Sequence, residues 1–547
     1  MATIKKVDEG RIRVADVTIA QLSRGLYRST ATAFKELISN AFDADADDIR
    51  IDTNFPEFDY ISCVDTGKGM PIEKFINHFG EEGIGSSQKR KGNKEVTEKY
   101  KRPIVGRMGI GMLAIGQLCH SFEIESHYYN DKKKGVAYKG RIILEDSDIQ
   151  GVDEIVKNDD EENNNIDVGR WSYELIDFEE SKIGFHIYSN DIRQTFRRDM
   201  TEAVKLNDQY KKIHFSFEDL HKEFYDKTKK SIRNWHLYLE TIWELSILCP
   251  LPYTCDVTET PINTQKILPG EKRTKDYQQV MAFLKKKQSQ FEKFKFKVFF
   301  DGIELKRLIQ FPTEDDIKFS KIFFVDFNEE VFGKQLKFTG YIFSQIPKAI
   351  SPFELNGIQI RVRGVGIGGY DSTFLRYYNQ IDTIRSRWIS GEIFVDDGLE
   401  AALNIDRDSF NEHDEHFKKL QKVIHEKLNT VFHESSKTAT ELSEEKKEKK
   451  SDDLKHDFKD FVKEGSHGKF QLVEKSVKGN EEAVFFDDTN KHLIINNAVT
   501  TFKKKNANNV YKAIRIAYLI AKETTKSEIE RDEVFENLVK GIIQKLI

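Results

Sequence analysis

FKELISNAFDADADDIRIDT (residues 34–53), then YISCVDTGKGM (60–70) and VGRMGIGMLA (105–114), hold most of what this chain says about itself. The first block reads as a helix from about Thr30 to Asp43. On it Glu36, Asn40 and Asp43 fall at i, i+4 and i+7, within roughly 60° of one another. Phe34, Leu37, Ile38 and Ala41 form an apolar row beside that line. An acid, an amide and a second acid on one stripe of a buried helix are costly unless they bind something. A magnesium–triphosphate is the expected occupant. Asn40 would supply the oxygen that Mg²⁺ prefers, and Glu36 would hold an attacking water.

Ile49, Ile51 and Thr53 alternate as a strand does, and so do Tyr60, Ser62 and Val64. Asp65 then stands at the exit of the second strand, ahead of Gly67 and Gly69. A carboxylate there can accept from the exocyclic amine of adenine, and glycines let a base lie against the backbone. Gly106, Gly109 and Gly111 open a helical run over Met112–Leu118, whose N-terminal N–H groups suit phosphate.

These blocks resemble the GHKL ATPase superfamily (DNA gyrase, heat-shock chaperones of the ninety-kilodalton class, histidine kinases and MutL). ELISNAFDADA resembles its N-box, DTGKGM its first glycine box and GRMGIGMLA its second, in the right order and spacing. The resemblance implies ATP and Mg²⁺ bound in a Bergerat-type α/β sandwich with a mobile lid near residues 80–103. It assigns nucleotide contacts to Asn40, Asp43, Asp65, Gly67, Gly69, Met70, Gly106, Gly109, Ile110, Gly111 and Met112, the metal to Asn40, and water activation to Glu36. The lid carries GIGSSQKR, whose Ser86, Ser87 and Lys89 resemble the Gly-x-Ser-x-Lys segment of MutL-like and MORC-like members. The last core strand is expected at Ile183–Tyr188. There Gly184 is followed by Phe185 where the family usually has Gly-Thr.

Length and composition frame the rest. The 547 residues suggest several folding units, and 38% hydrophobic with 32% charged residues describes a globular chain with polar linkers. No run of 18 apolar residues occurs and MATIKKVDEGRIRV lacks a signal-peptide core, so a cytoplasmic protein with no membrane association is expected. Cys63, Cys119, Cys249 and Cys255 have no metal-ligand spacing and read as buried free thiols. The net charge of −5 does not advertise nucleic-acid binding. Of the local basic runs, KKKQSQFEKFKFK (285–297) interleaves aromatics with lysines in the manner of a DNA-contacting groove.

The expected fold class is α/β (α+β) in five parts. They are the ATP-binding domain (1–205), a helical connector (206–262), a transducer-like mixed α/β middle domain (263–436), a charged linker or exposed helix (437–469) and a small helical C-terminal domain (470–547). The 30 residues ahead of the N-box are too few for the phosphoacceptor hairpin of a sensor kinase. Middle-domain strands are expected at Lys295–Phe300, Lys321–Asp326, Leu336–Ile342, Ile358–Arg363 and Gly391–Val395. ISGEIFVDDGLEAALNIDRDSF (389–410) resembles the heat-shock-chaperone stretch that ends in Asn-x-x-Arg-[Glu/Asp]. Arg407 falls on the arginine that reaches the γ-phosphate, with Arg361, Arg363 and Lys348 as rivals.

The mechanism these resemblances imply is a slow ATPase that closes as an ATP-gated homodimeric clamp. A chaperone-like remodeller of protein clients is the first expectation. A nucleic-acid-associated MutL/MORC-like clamp in DNA maintenance or anti-phage defence is the second, and a regulatory ATPase subunit the third. The C-terminal helices are expected either to dimerise or to dock on their own middle domain.

Overall fold

The computed structural model describes residues 7–15, 29–81, 96–106, 111–144, 165–205, 220, 237–253, 273–307, 319–346, 349–350, 353–377, 385–404, 408–466, 468–499, 501 and 505–546. Two compact units emerge, Met1–Ser436 and Lys437–Ile547.

The first unit is built on a nine-stranded sheet. In chain order its strands are β1 (Val7–Ala15), β2 (Asp48–Asp52), β3 (Ile61–Asp65), β4 (Cys119–Tyr129), β5 (Gly135–Leu144), β6 (Asn165–Ile176), β7 (Gly184–Ile192), β8 (Lys297–Phe300) and β9 (Ile303–Leu305). They lie in the order β1-β6-β5-β4-β7-β3-β2-β8-β9, antiparallel throughout except for the parallel pair β2–β8. Helix α1 (Thr30–Asp43) packs on this sheet with Phe34, Leu37, Ile38, Ala41 and Phe42 buried. Its large apolar side chains each contribute about 1.5–3 kcal/mol by leaving water. Ser29 caps it, its Oγ accepting from Thr32 N–H. Phe34 meets Phe300 edge-on, and Phe42 meets Phe294 and Phe296.

Those ring contacts explain one correction. The strand expected at Lys295–Phe300 does not join the middle-domain sheet. As β8 it adds to β2, because burying Val298 and Phe300 beneath α1 satisfies both its backbone and its apolar face. The interleaved run 285–297 is also reassigned. Phe291, Phe294 and Phe296 are core residues, and Lys287, nearly buried, pairs with Asp396 at 3.2 Å and lies over the Phe283 and Phe394 rings.

A second sheet in the same unit has the order β10-β11-β14-β12-β13, from β10 (Phe319–Val331), β11 (Lys334–Ile346), β12 (Gly357–Val362), β13 (Val365–Asp371) and β14 (Ile389–Asp397). Its core is completed by Phe417, Leu420, Ile424, Leu428 and Val431, spaced by three and four along the helix Glu415–Gly465. The charged tract at 438–465 belongs to this same helix.

The Lys437–Ile547 unit contains the helices Lys505–Thr524 and Glu528–Leu546. It also holds a three-stranded sheet, Gln471–Lys475, Val484–Asp487 and His492–Asn496, so the purely helical expectation for 470–547 is corrected. Those strands are four or five residues long and carry little alternation, which leaves pairing rather than pattern to define them.

Candidate functional site

The end of α1, the exit of β3, the start of β7 and the segment 96–106 converge at one place. Glu36 lies buried on α1, and Asn40 and Asp43, one and two turns later, are half-buried. Asp43 accepts from the Val105 and Gly106 N–H groups at 2.8 and 2.5 Å. The acid at the foot of the polar line therefore fastens the opening of the second glycine box to the helix.

Asp65 sits between neighbours on both sides, opposite Ile49 of β2 and Phe185 of β7. Its Oδ1 accepts from Gly67 N–H at 2.8 Å. Burial pushes its carboxyl up to about 7, against the pull of hydrogen bonds from the Gly67 and Phe185 backbones. Two glycines are needed for close approach here. Gly69 has φ +69°, and a Cβ on it would lie 2.5 Å from the His127 carbonyl oxygen. Gly184, with φ +143°, would put a Cβ 2.0 Å from the Asp65 carbonyl oxygen. Met70 N–H donates to Ser126 Oγ at 2.8 Å, which fixes the first glycine box on β4. The helical run expected over Met112–Leu118 is a short 3-10 helix, Gly111–Gln117.

Residues absent from the sequence reading hold this arrangement together. Asp45, with φ +59°, accepts from Thr97 Oγ1 at 2.5 Å and from the Lys99 and Tyr100 N–H groups at 2.8 and 3.1 Å. Burial alone would raise its carboxyl, but these bonds outweigh it and hold the group below its ordinary range. Arg102, fully buried, donates to the Phe42, Ala46 and Phe294 carbonyls, tying segment 96–106 to α1 and to the turn before β8. The acids of DADADD hinted at such anchors, but nothing in the sequence says which backbone each would meet.

The rival cations separate. Arg361 is buried in a cluster with Glu392, Arg307 and the Gln359 side chain, and it donates to the Ile247 carbonyl. The geometry gives it a packing role in that cluster. Arg363, at φ +54°, pairs with Glu400 at 2.8 Å and donates to the Ile104 carbonyl at 3.2 Å, next to the segment that Asp43 holds. Ser86, Ser87, Lys89, Gly109, Ile110, Lys348 and Arg407 lie outside the described residues, as does the side chain of Met112. Asp408, which follows Arg407, is bonded to Lys35 and Thr32 of α1.

Cys63, Cys119 and Cys249 are buried free thiols, and burial pushes Cys119 and Cys249 up to about 12. Cys255 lies outside the described residues. Among the described residues no helix is long and apolar enough to cross a membrane. No group of three or more His, Cys, Asp and Glu side chains there could hold a metal ion unaided.

The site tests well for a purine nucleotide. It combines a buried acceptor in Asp65, a close-packed glycine turn that holds it, and an acid–amide line on α1. Residues 27–165 match the family described as "Histidine kinase-, DNA gyrase B-, and HSP90-like ATPase". A protein of Herpetosiphon aurantiacus named "Putative type II restriction enzyme HgiDII" is 35% identical over 109 residues, which are 20% of this chain and 16% of that protein. The similarity thus spans less than a fifth of the relative's own length.

Proposed function

From a chain that belongs, through residues 27–165, to the GHKL ATPase superfamily, we propose a slow Mg²⁺-dependent ATPase that acts as an ATP-gated homodimeric clamp. The observation that carries this is the convergence of the Glu36–Asn40–Asp43 line with buried Asp65 and its glycines. Asp65 accepts the adenine amine, held in place by the tight Gly67–Gly69 turn packed behind it. Asn40 offers one amide oxygen, which suits an ion that takes its other ligands from phosphates and water. Bound Mg²⁺ would neutralise charge on the phosphate oxygens. Glu36 holds and polarises the attacking water. Ser86, Ser87 and Lys89 fold over the phosphates, and Arg407 reaches the γ-phosphate with a charge-assisted fork. The Asp408 contact with α1 supports that last role, since it ties the position that follows Arg407 in the sequence to the N-box helix.

The output we favour is handling of nucleic acid. It is supported by the likeness to a relative whose name is that of a restriction enzyme, and by the MutL/MORC-like lid sequence. The second reading, protein remodelling, is supported by the sequence LNIDRDSF (403–410), of which Leu403 and Phe410 pack against the second core. ATP turnover of the purified chain, with and without Mg²⁺, and with duplex DNA or an unfolded protein added, decides between them. Stimulation by DNA alone supports the first output and stimulation by unfolded protein alone the second. No ATP turnover under any condition refutes the ATPase itself.

A further inference from the structure

Lys35 stands directly before Glu36 on α1, and only 1% of its side chain is exposed. Its ammonium donates to Asp408 Oδ1 at 2.6 Å. One turn earlier Thr32 Oγ1 donates to Asp408 Oδ2 at 3.0 Å. A single carboxylate therefore grips two successive turns of the helix that carries the polar line.

That carboxylate belongs to the second core. Leu403 bridges to Phe410, Asn404 N–H donates to the Ser409 carbonyl at 3.0 Å, and Asn411 N–H donates to the Ala402 carbonyl at 2.7 Å. Ala402 is buried in the second core, and Leu403 and Phe410 pack against it. The Asp408 backbone lies on β13, where a Cβ on Gly368 would come within 2.8 Å of its carbonyl oxygen. Any shift of this turn must move the anchor point of α1.

Two buried opposite charges add little net stability over an apolar pair of the same size. They are directional, however, where an apolar contact is not. Oxygens bonded to residues 32 and 35 fix the rotation of α1 about its axis, and each successive residue is turned by about 100° from the one before. Glu36 is the next position round, so its carboxylate is aimed by that rotation.

We propose that the Lys35–Asp408 pair is the coupling contact through which the second core sets the position of Glu36 and so gates hydrolysis. Lys35 and Asp408 are positioning residues and touch no substrate. The inference rests on the reading of Glu36 as the acid that holds water for ATP hydrolysis. In that reading, movement of the middle sheet on closure is felt at α1 before any change in the adenine contacts.

The test uses the full chain with both charges removed together, K35M/D408N, because either single change leaves an uncompensated buried charge and can unfold the protein. Four quantities are compared with wild type: melting, affinity for a non-hydrolysable ATP analogue, kcat with KM, and amide hydrogen exchange with and without the analogue. We expect a melt close to wild type and analogue affinity within about twofold, with kcat at least about tenfold lower and KM little changed. Exchange in α1 still slows with the analogue, but the slowing no longer reaches peptides covering 408–414. Wild-type kcat with wild-type transfer of protection overturns the proposal and leaves the pair a structural brace. If the wild-type chain binds the analogue without turning it over, the reading of Glu36 fails separately. Exchange then decides: transfer lost in the double variant supports coupling, and transfer retained overturns it. A wild-type chain that does not bind the analogue overturns both.

Discussion

Glu36 and Asp65 carry different halves of the proposed chemistry, and their surroundings make the halves separable. Glu36→Ala is expected to keep analogue affinity within about twofold and to lower kcat by a factor of 10² or more, since a general base is worth roughly 10²–10⁴-fold. Single-turnover ATP hydrolysis beside calorimetry checks this, and near-wild-type turnover removes Glu36 from the mechanism. For Asp65 the informative variable is pH. Its carboxyl is pushed up to about 7 by burial. An adenine amine donating to it favours the ionised form, so its folded value should fall on binding and a proton should be released near neutrality. Affinity should therefore rise as pH increases toward about 7 and level off above it. Calorimetry in buffers of different ionisation enthalpy measures the released proton, and Asp65→Asn should abolish both the proton and the pH dependence. An unchanged pH profile in that variant would show Asp65 to be a strand-end residue only.

Helix α1 was legible in the sequence to its ends, Thr30–Asp43, because its apolar residues keep one period beside a polar line. The turn after β3 was equally legible, since Asp65, Gly67 and Gly69 announce it. What the sequence withheld were partnerships. β8 joins the first sheet because its apolar residues fit under α1, a choice no local pattern encodes. Lys35 and Asp408 are 373 residues apart, and Arg102 finds its acceptors on two separate segments, at Phe42 and Ala46 and at Phe294. The clearest element-scale case is Glu392 on β14. It accepts from Tyr341 and Tyr370 at 2.9 and 3.1 Å and pairs with Arg361 of β12 and with Arg307, which follows β9 of the first sheet. Burial would raise its carboxyl, but the two guanidinium groups hold it down at about 2. A depressed acid contributes stability above its unfolded value of about 4 and loses it as pH falls through the folded one. Glu392→Gln should thus cost about 3–5 kcal/mol at pH 7 by leaving two buried cations uncompensated, a cost that shrinks toward pH 2. Urea melts of the Met1–Ser436 unit report it, and a loss under about 1 kcal/mol would mean the cluster is hydrated.

At the scale of the whole chain, the proposed clamp would divide its tasks between the two compact units. The Met1–Ser436 unit contains every described residue of the candidate site together with the Lys35–Asp408 pair. The Lys437–Ile547 unit has its own core, from Val462, Phe470, Leu493, Ile516 and Ile520 among others. Val510, Ile514 and Tyr518 recur every fourth residue on the Lys505–Thr524 helix and remain partly exposed. If this second unit holds two copies together, removing Lys437–Ile547 should leave analogue affinity within about twofold of wild type yet lower kcat per chain. Two nucleotide domains would no longer meet at the effective concentration, on the order of millimolar, that a tether provides. The loss should then be recovered in part as protein concentration is raised, a dependence the full chain would not share. Sedimentation of both chains with and without the analogue separates tethering from closure. A truncated chain that is monomeric alone and self-associates weakly with the analogue supports this division. A full-length chain that is monomeric without nucleotide contradicts it, because the site would then have no constitutive partner to close upon.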